Sequence, residues 1–170
     1  IGPGEPEDRR THQGVFASHY DDTRITRVID PDPLRAWLAH RSVSAFRRLE
    51  TETSVGFYFE VGHLWVGPPD EVAQLAGCGQ RFDLGCVGHS AEELPGVFPG
   101  LQPPGGLDGL FQTEGAGHLD PREYVRAEGV AFIASGGEVY DEVVTVVREV
   151  DAGVELTTAG RILTADRVVL

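Results

Sequence analysis

The sequence contains no methionine and no lysine among its 170 residues. A chain without Met carries no translation start at residue 1, so it reads as a piece of a longer protein. All 14 basic residues are arginine, which excludes a Schiff base or an ammonium general base from this stretch. Cysteine is scarce. Cys78 and Cys86 stand eight apart in a Gly-rich segment with neither a CxxC nor a second pair beside them, so they read as free, partly buried thiols. No apolar run approaches the ~18 residues of a membrane helix, and Ile1 to Arg10 is acidic and rich in Gly and Pro, unlike a signal peptide. The chain is therefore expected to be soluble and cytoplasmic. Positive charge is also short: 27 Asp and Glu against 14 Arg give a formal charge of −13, which repels phosphate backbones and anionic lipid. Neither nucleic acid nor a membrane is an expected partner. His12, His40, His89 and His118 show no HxH or HExxH spacing, so no metal site is expected.

What is present suits a packed domain. Hydrophobic residues make up 41% and charged residues 24%, ordinary globular values. From Arg10 to Asp30 no helical period appears, and the segment reads as a long loop. Asp32-Pro33 supplies a cap and a first-turn proline. Leu34, Trp37, Leu38, Ala45, Phe46 and Leu49 then recur at three and four, predicting an amphipathic helix to about Thr51 whose core face they form. Residues 57–61 and 63–66 read as two strands with a kink or tight turn at Gly62. A short helix is predicted over 71–76, and Ser90 to Glu93 forms a capping box for another. Leu107 to Phe111 is strand-like, and Asp120-Pro121 opens a helix to about Ser135. From Glu138 on, valine-rich runs with turns at 151–153 and 159–160 predict a small antiparallel meander. The pattern is mixed α and β.

The segment Ser18-His19-Tyr20-Asp21-Asp22-Thr23-Arg24-Ile25-Thr26-Arg27 resembles a Ser-His-x-x-x-(Thr/Ser)-Arg-Ile-x-Arg signature. With Val61 to Pro68, Gly109 to Gln112 and Gly115 to Pro121 in that order, it resembles the FAD-dependent amine and amino-acid oxidoreductases of the D-amino-acid oxidase superfamily. The monomeric sarcosine oxidase and glycine oxidase branch is the most similar. The resemblance implies an internal fragment of a two-domain flavoenzyme, α/β and α+β mixed, with a Rossmann-like FAD-binding part and an antiparallel-sheet substrate domain. Residues 1–52 and 137–170 would belong to the FAD-binding part and 53–136 mainly to the substrate domain. The family's opening Gly-x-Gly-x-x-Gly unit, whose glycines admit a pyrophosphate to a helix N-terminus, is absent from this stretch, which alone is expected to be inactive. Gly2 stands where the family carries a ribose-binding acid, with Glu5 a possible substitute.

Arg24 and Arg27 are three apart, close enough on a turn of helix to face one way, and each offers a planar fork to an acceptor pair. By resemblance, Arg24 lies against the flavin and Arg27 reaches a substrate carboxylate. The alternative is two solvated arginines balancing Asp21 and Asp22. Ser18 and His19 sit where the family's loop passes the cofactor. Thr23 either hydrogen-bonds the cofactor or caps a turn. Val144 follows a strand where the family holds adenine through valine backbone. His63 and Trp65 alternate with Leu64 and Val66, so both face one side of a strand and are candidates to line a substrate pocket. The implied activity is oxidation of the C–N bond of a small carboxylate-bearing amine or amino acid. A hydroxy-acid or glycerol-phosphate dehydrogenase, and a non-catalytic acidic binding module, are the alternatives on the same scaffold.

Overall fold

The computed structural model describes residues 23–169. Extended backbone appears within the stretch expected to be loop: β1 (Arg24–Thr26). Helix α1 (Pro33–Thr53) begins where predicted, because the Asp32 carboxylate accepts from the Leu34 and Arg35 amides and Pro33 needs no donor partner. Its buried face differs from the expected one. Ala36 and Phe46 enter the core, whereas Leu34, Trp37 and Leu38 are 62%, 46% and 50% exposed. Spacing identifies a helix but not its rotation. Small Ala36 lets the helix approach its support closely, and the Arg41 guanidinium covers the outward Trp37 ring at 5.2 Å from its centroid.

The next strands are β2 (Tyr58–Phe59) and β3 (His63–Gly67). Gly62, at φ +82°, kinks the chain between them, and the two join different sheets. Helix α2 runs Pro69–Phe82, longer than predicted. It continues through Gly77 and Gly79, and Gly79 is needed there because a Cβ would press on the Cys86 sulfur. Both cysteines are free and half-buried. Then come β4 (Val87–His89), the single turn α3 (Leu94–Val97), β5 (Asp108–Gln112), β6 (Gly117–Leu119) and α4 (Pro121–Ala134). Asp120 caps α4 as expected, accepting from the Arg122 and Glu123 amides. The expected box at Ser90 is only half formed: Glu93 accepts from the Ser90 amide and hydroxyl, but α3 begins one turn later, with Glu93 at its N-cap and no side-chain cap bond.

Two antiparallel sheets result, ordered β1-β6-β2 and β3-β5-β4. β4 and β6 escape a sequence reading because three residues, one of them glycine, carry too little period to see. One core gathers Val28, Ile29, Val72, Leu75, Leu84 and Leu110. A second gathers Phe46, Val55, Phe57, Tyr58, Leu119 and Ala127. Residues 21–131 form one compact unit. In the unit that follows, β7 (Val146–Val150), β8 (Gly153–Thr157) and β9 (Ile162–Ala165) form the expected meander. The buried Thr158 hydroxyl closes its second turn by accepting from the Gly160 and Arg161 amides. Among the described residues no helix is long and apolar enough to cross a membrane, and no group of three His, Cys, Asp or Glu is placed to hold a metal ion.

Candidate functional site

The β1 ladder ends at Thr26, paired with Gly117, and Arg27 is the first residue beyond it. Arg24 and Arg27 are therefore not on one helical turn. In extended backbone, residues three apart do not share a face, and tertiary contacts orient each arginine separately. Arg24 is exposed opposite Leu119. Arg27 lies with its guanidinium carbon 5.1 Å from the Trp65 ring centroid. One Nη is 3.6 Å from Asp30 Oδ2, and the other oxygen of Asp30 is fixed by the Asp32 amide at 2.9 Å. The aromatic ring and the anchored carboxylate thus flank the guanidinium from two directions.

Strand β3 brings His63 to the same place. His63 and Trp65 alternate onto one side of the strand with ring centroids 6.4 Å apart. Burial holds the His63 imidazole below its ordinary pKa of 6.5, and the nearby Arg27 charge adds to this. The ring is thus neutral at pH 7, and the other cation bordering the cleft of Arg27 is Arg35.

Two buried polar atoms lack a hydrogen-bond partner among the described residues, Arg27 Nε and His63 Nδ1, whereas the buried Thr26 and Tyr58 hydroxyls face each other. Unsatisfied groups of this kind cost about 1–3 kcal/mol each. Arg27 lines a 290 Å³ cleft with Thr26, Asp30, Arg35 and Phe46. A larger cleft of 660 Å³ is lined instead by Arg47, Tyr58, Glu60 and Glu114 among others. There Arg47 lies over the Tyr58 ring and pairs with Glu50 and Glu60.

The remaining expected residues are dispersed. Ser18 and His19, like Gly2 and Glu5, lie outside the described residues. Thr23 is exposed just before β1. Val144 does not follow a strand: it is half-buried in irregular chain two residues before β7, since the valine run that looked continuous pairs only from Val146 onward. A residue the sequence reading did not single out is Gln112, which is fully buried at the end of β5. Its Oε1 accepts from the Val28 and Ile29 amides at 3.2 and 3.1 Å. The available signal was a Gln on the apolar side of the strand Asp108 to Gln112.

The family model DAO, FAD dependent oxidoreductase, matches residues 7–170. No curated protein sequence matches the chain. Among solved structures it is similar to the open form of NikD, an unusual amino acid oxidase essential for nikkomycin biosynthesis. That match has a TM-score of 0.66 and 21% identity over 86% of this chain and 39% of that one. It is also similar to L-proline dehydrogenase from P. horikoshii, with a TM-score of 0.66 and 17% identity over 81% and 38%. Glycine oxidase from Geobacillus kaustophilus gives a TM-score of 0.61 and 18% identity over 84% and 41%. The chain thus spans about two fifths of the length of these structures, and it shares their mixed α and β fold.

Proposed function

The chain belongs to the DAO family of FAD-dependent oxidoreductases, and from that premise we propose that Arg27 receives the carboxylate of an amine or amino-acid substrate. The observation that carries this reading is the fixed guanidinium: Arg27 is set between the Trp65 face and Asp30, with a buried, unpartnered Nε. A planar fork of fixed orientation suits a two-oxygen anion, and a flexible ammonium does not. His63, kept neutral by burial and by Arg27, hydrogen-bonds the substrate without repelling its amino group. Trp65 and Asp30 orient the arginine, and the Arg27 charge orients the C–N bond to be oxidised.

FAD, when bound, supplies the two-electron oxidation of that bond. Arg24, together with Ser18, His19, Thr23 and the backbone at Val144, is our assignment for holding it, on the strength of the signature that Ser18 to Arg27 resembles. We assign residues 1–52 and 137–170 to cofactor binding and 53–136 mainly to the substrate side. A cytoplasmic location and a sarcosine oxidase-like preference for small amines complete this reading.

The test is steady-state kinetics of the full-length enzyme with two matched amines, one bearing a carboxylate and one lacking it. Arg27→Lys keeps the charge and loses the fork, and Arg27→Ala loses both. Each is expected to lower kcat/KM for the carboxylate-bearing amine by roughly ten- to a hundred-fold, the equivalent of about 1.5–3 kcal/mol for a charge-assisted contact. The other amine and the flavin content should change little. Equal losses for both amines would make Arg27 structural.

A further inference from the structure

We propose that Gln112 is the positioning residue for Arg27, holding the backbone that carries it at a set distance from His63 and Trp65. This rests on the reading of Arg27 as the carboxylate-binding group. Val28 and Ile29, immediately after Arg27, are 1% and 0% exposed, yet the β1 ladder has already ended at Thr26. Their amides point into the core with no strand of the described residues beside them, and a buried N–H must find an acceptor. Gln112 Oε1 supplies it to both, while Gln112 Nε2 donates to the Glu114 carbonyl at 2.6 Å. The amide side chain therefore makes the hydrogen bonds that a neighbouring strand would make.

The same residue fixes the other half of the site. In the β3–β5 ladder Gln112 stands opposite His63, and Leu110 stands opposite Trp65. The backbone of β5 thus places the imidazole and the indole, and its last side chain places the segment carrying the guanidinium. All three groups are referred to one strand. A buried amide with both ends engaged has one orientation, which is what a two-point carboxylate contact requires of its support.

The experiment uses the full-length flavoprotein in a Trp37→Phe background, and the Trp65 signal is the difference from the same protein carrying Trp65→Phe as well, so that any tryptophan outside this stretch cancels. Two properties are read: the Trp65 emission, which reports the stacked guanidinium, and the affinity for acetate, followed by the flavin absorbance change. Gln112→Leu removes the acceptor and is expected to alter Trp65 emission as Arg27→Leu does and to weaken acetate binding about 10- to 100-fold. Phe57→Leu, in the other core cluster, serves as the stability control and should move neither readout. Gln112→Glu guards against misfolding of the Leu variant. Its protonated carboxyl reproduces both contacts, accepting from Val28 and Ile29 and donating to the Glu114 carbonyl. Its carboxylate loses the donor. Acetate affinity is compared with the parent at each pH, so that the titration of acetate and of His63 cancels. The Gln112→Glu affinity should be near that of the parent at low pH and fall below it as pH rises. Unchanged Trp65 emission and acetate affinity in Gln112→Leu, or a Gln112→Glu affinity that keeps a constant ratio to the parent at every pH, would overturn the proposal. If Gln112→Leu and Arg27→Leu both shift Trp65 emission while neither weakens acetate, Gln112 does position Arg27 and it is the carboxylate reading that fails.

Discussion

Arg27 follows β1 and Trp65 lies in β3, a strand of the other sheet, yet the guanidinium of one lies 5.1 Å from the ring centroid of the other. The contact joins the residue just after β1 to the middle of β3. A half-desolvated cation–π pair contributes about 0.5–2 kcal/mol. A double-mutant cycle with Arg27→Leu and Trp65→Leu, read by urea denaturation, is expected to give a coupling energy in that range. Trp65→Phe should keep part of it. Additive single losses would show that the stacking contributes nothing.

His63 gives a pH signature. Its folded-state pKa lies below the ordinary 6.5, through burial first and Arg27 second. Above 6.5 the ring is neutral in both folded and unfolded chains, and its full contribution is present. As pH falls below 6.5 the unfolded chain takes up a proton that the folded one resists, so stability declines until the folded pKa is reached. His63→Gln should flatten the decline in stability as pH falls below 6.5. A profile unchanged by that substitution would show that His63 is not the group titrating there.

Glu50 acts in the opposite direction of charge. Burial alone would raise its pKa, but the Tyr58 and Phe57 amides, each donating at 2.8 Å, and the Arg47 guanidinium outweigh this and hold the carboxyl below its ordinary 4.5. Its contribution is complete above pH 4.5 and is lost as pH falls through the lower folded value. Glu50→Ala leaves the two amides at the start of β2 without their acceptor and is expected to cost about 1–3 kcal/mol. Thermal melts at pH 7 and pH 4 should differ less for this variant than for the parent.

Two glycines should respond with opposite sign to the same substitution. A Cβ at Gly117 would overlap the Phe59 carbonyl, where β6 meets β2. Gly117→Ala must push those strands apart, and a loss of at least about 1–3 kcal/mol is expected. Gly129 lies within α4 with nothing within 4 Å of its missing Cβ. Gly129→Ala should raise stability by about 0.5–1 kcal/mol through helix propensity. Calorimetry of the two variants side by side checks both signs.

The elements that announce themselves locally were legible in the sequence. Asp32-Pro33 and Asp120-Pro121 set the starts of α1 and α4 by side-chain capping within three residues, and the valine runs with their glycine turns set the meander. The alternation of His63 and Trp65 onto one side of β3 follows from period two alone. So does the acidic character, which is a sum over residues. The signature from Ser18 to Arg27 carried the family because it is a spacing, and a spacing survives without coordinates. What the tertiary structure decided depends on residues far apart in the chain. The rotation of α1 turns on Ala36 meeting its support, which no period specifies. The grouping of Arg27 with Trp65 and His63 brings the chain just after β1 against β3. Gln112 reaches amides 84 and 83 residues away, and only the fold shows that those amides are buried without a strand to pair them.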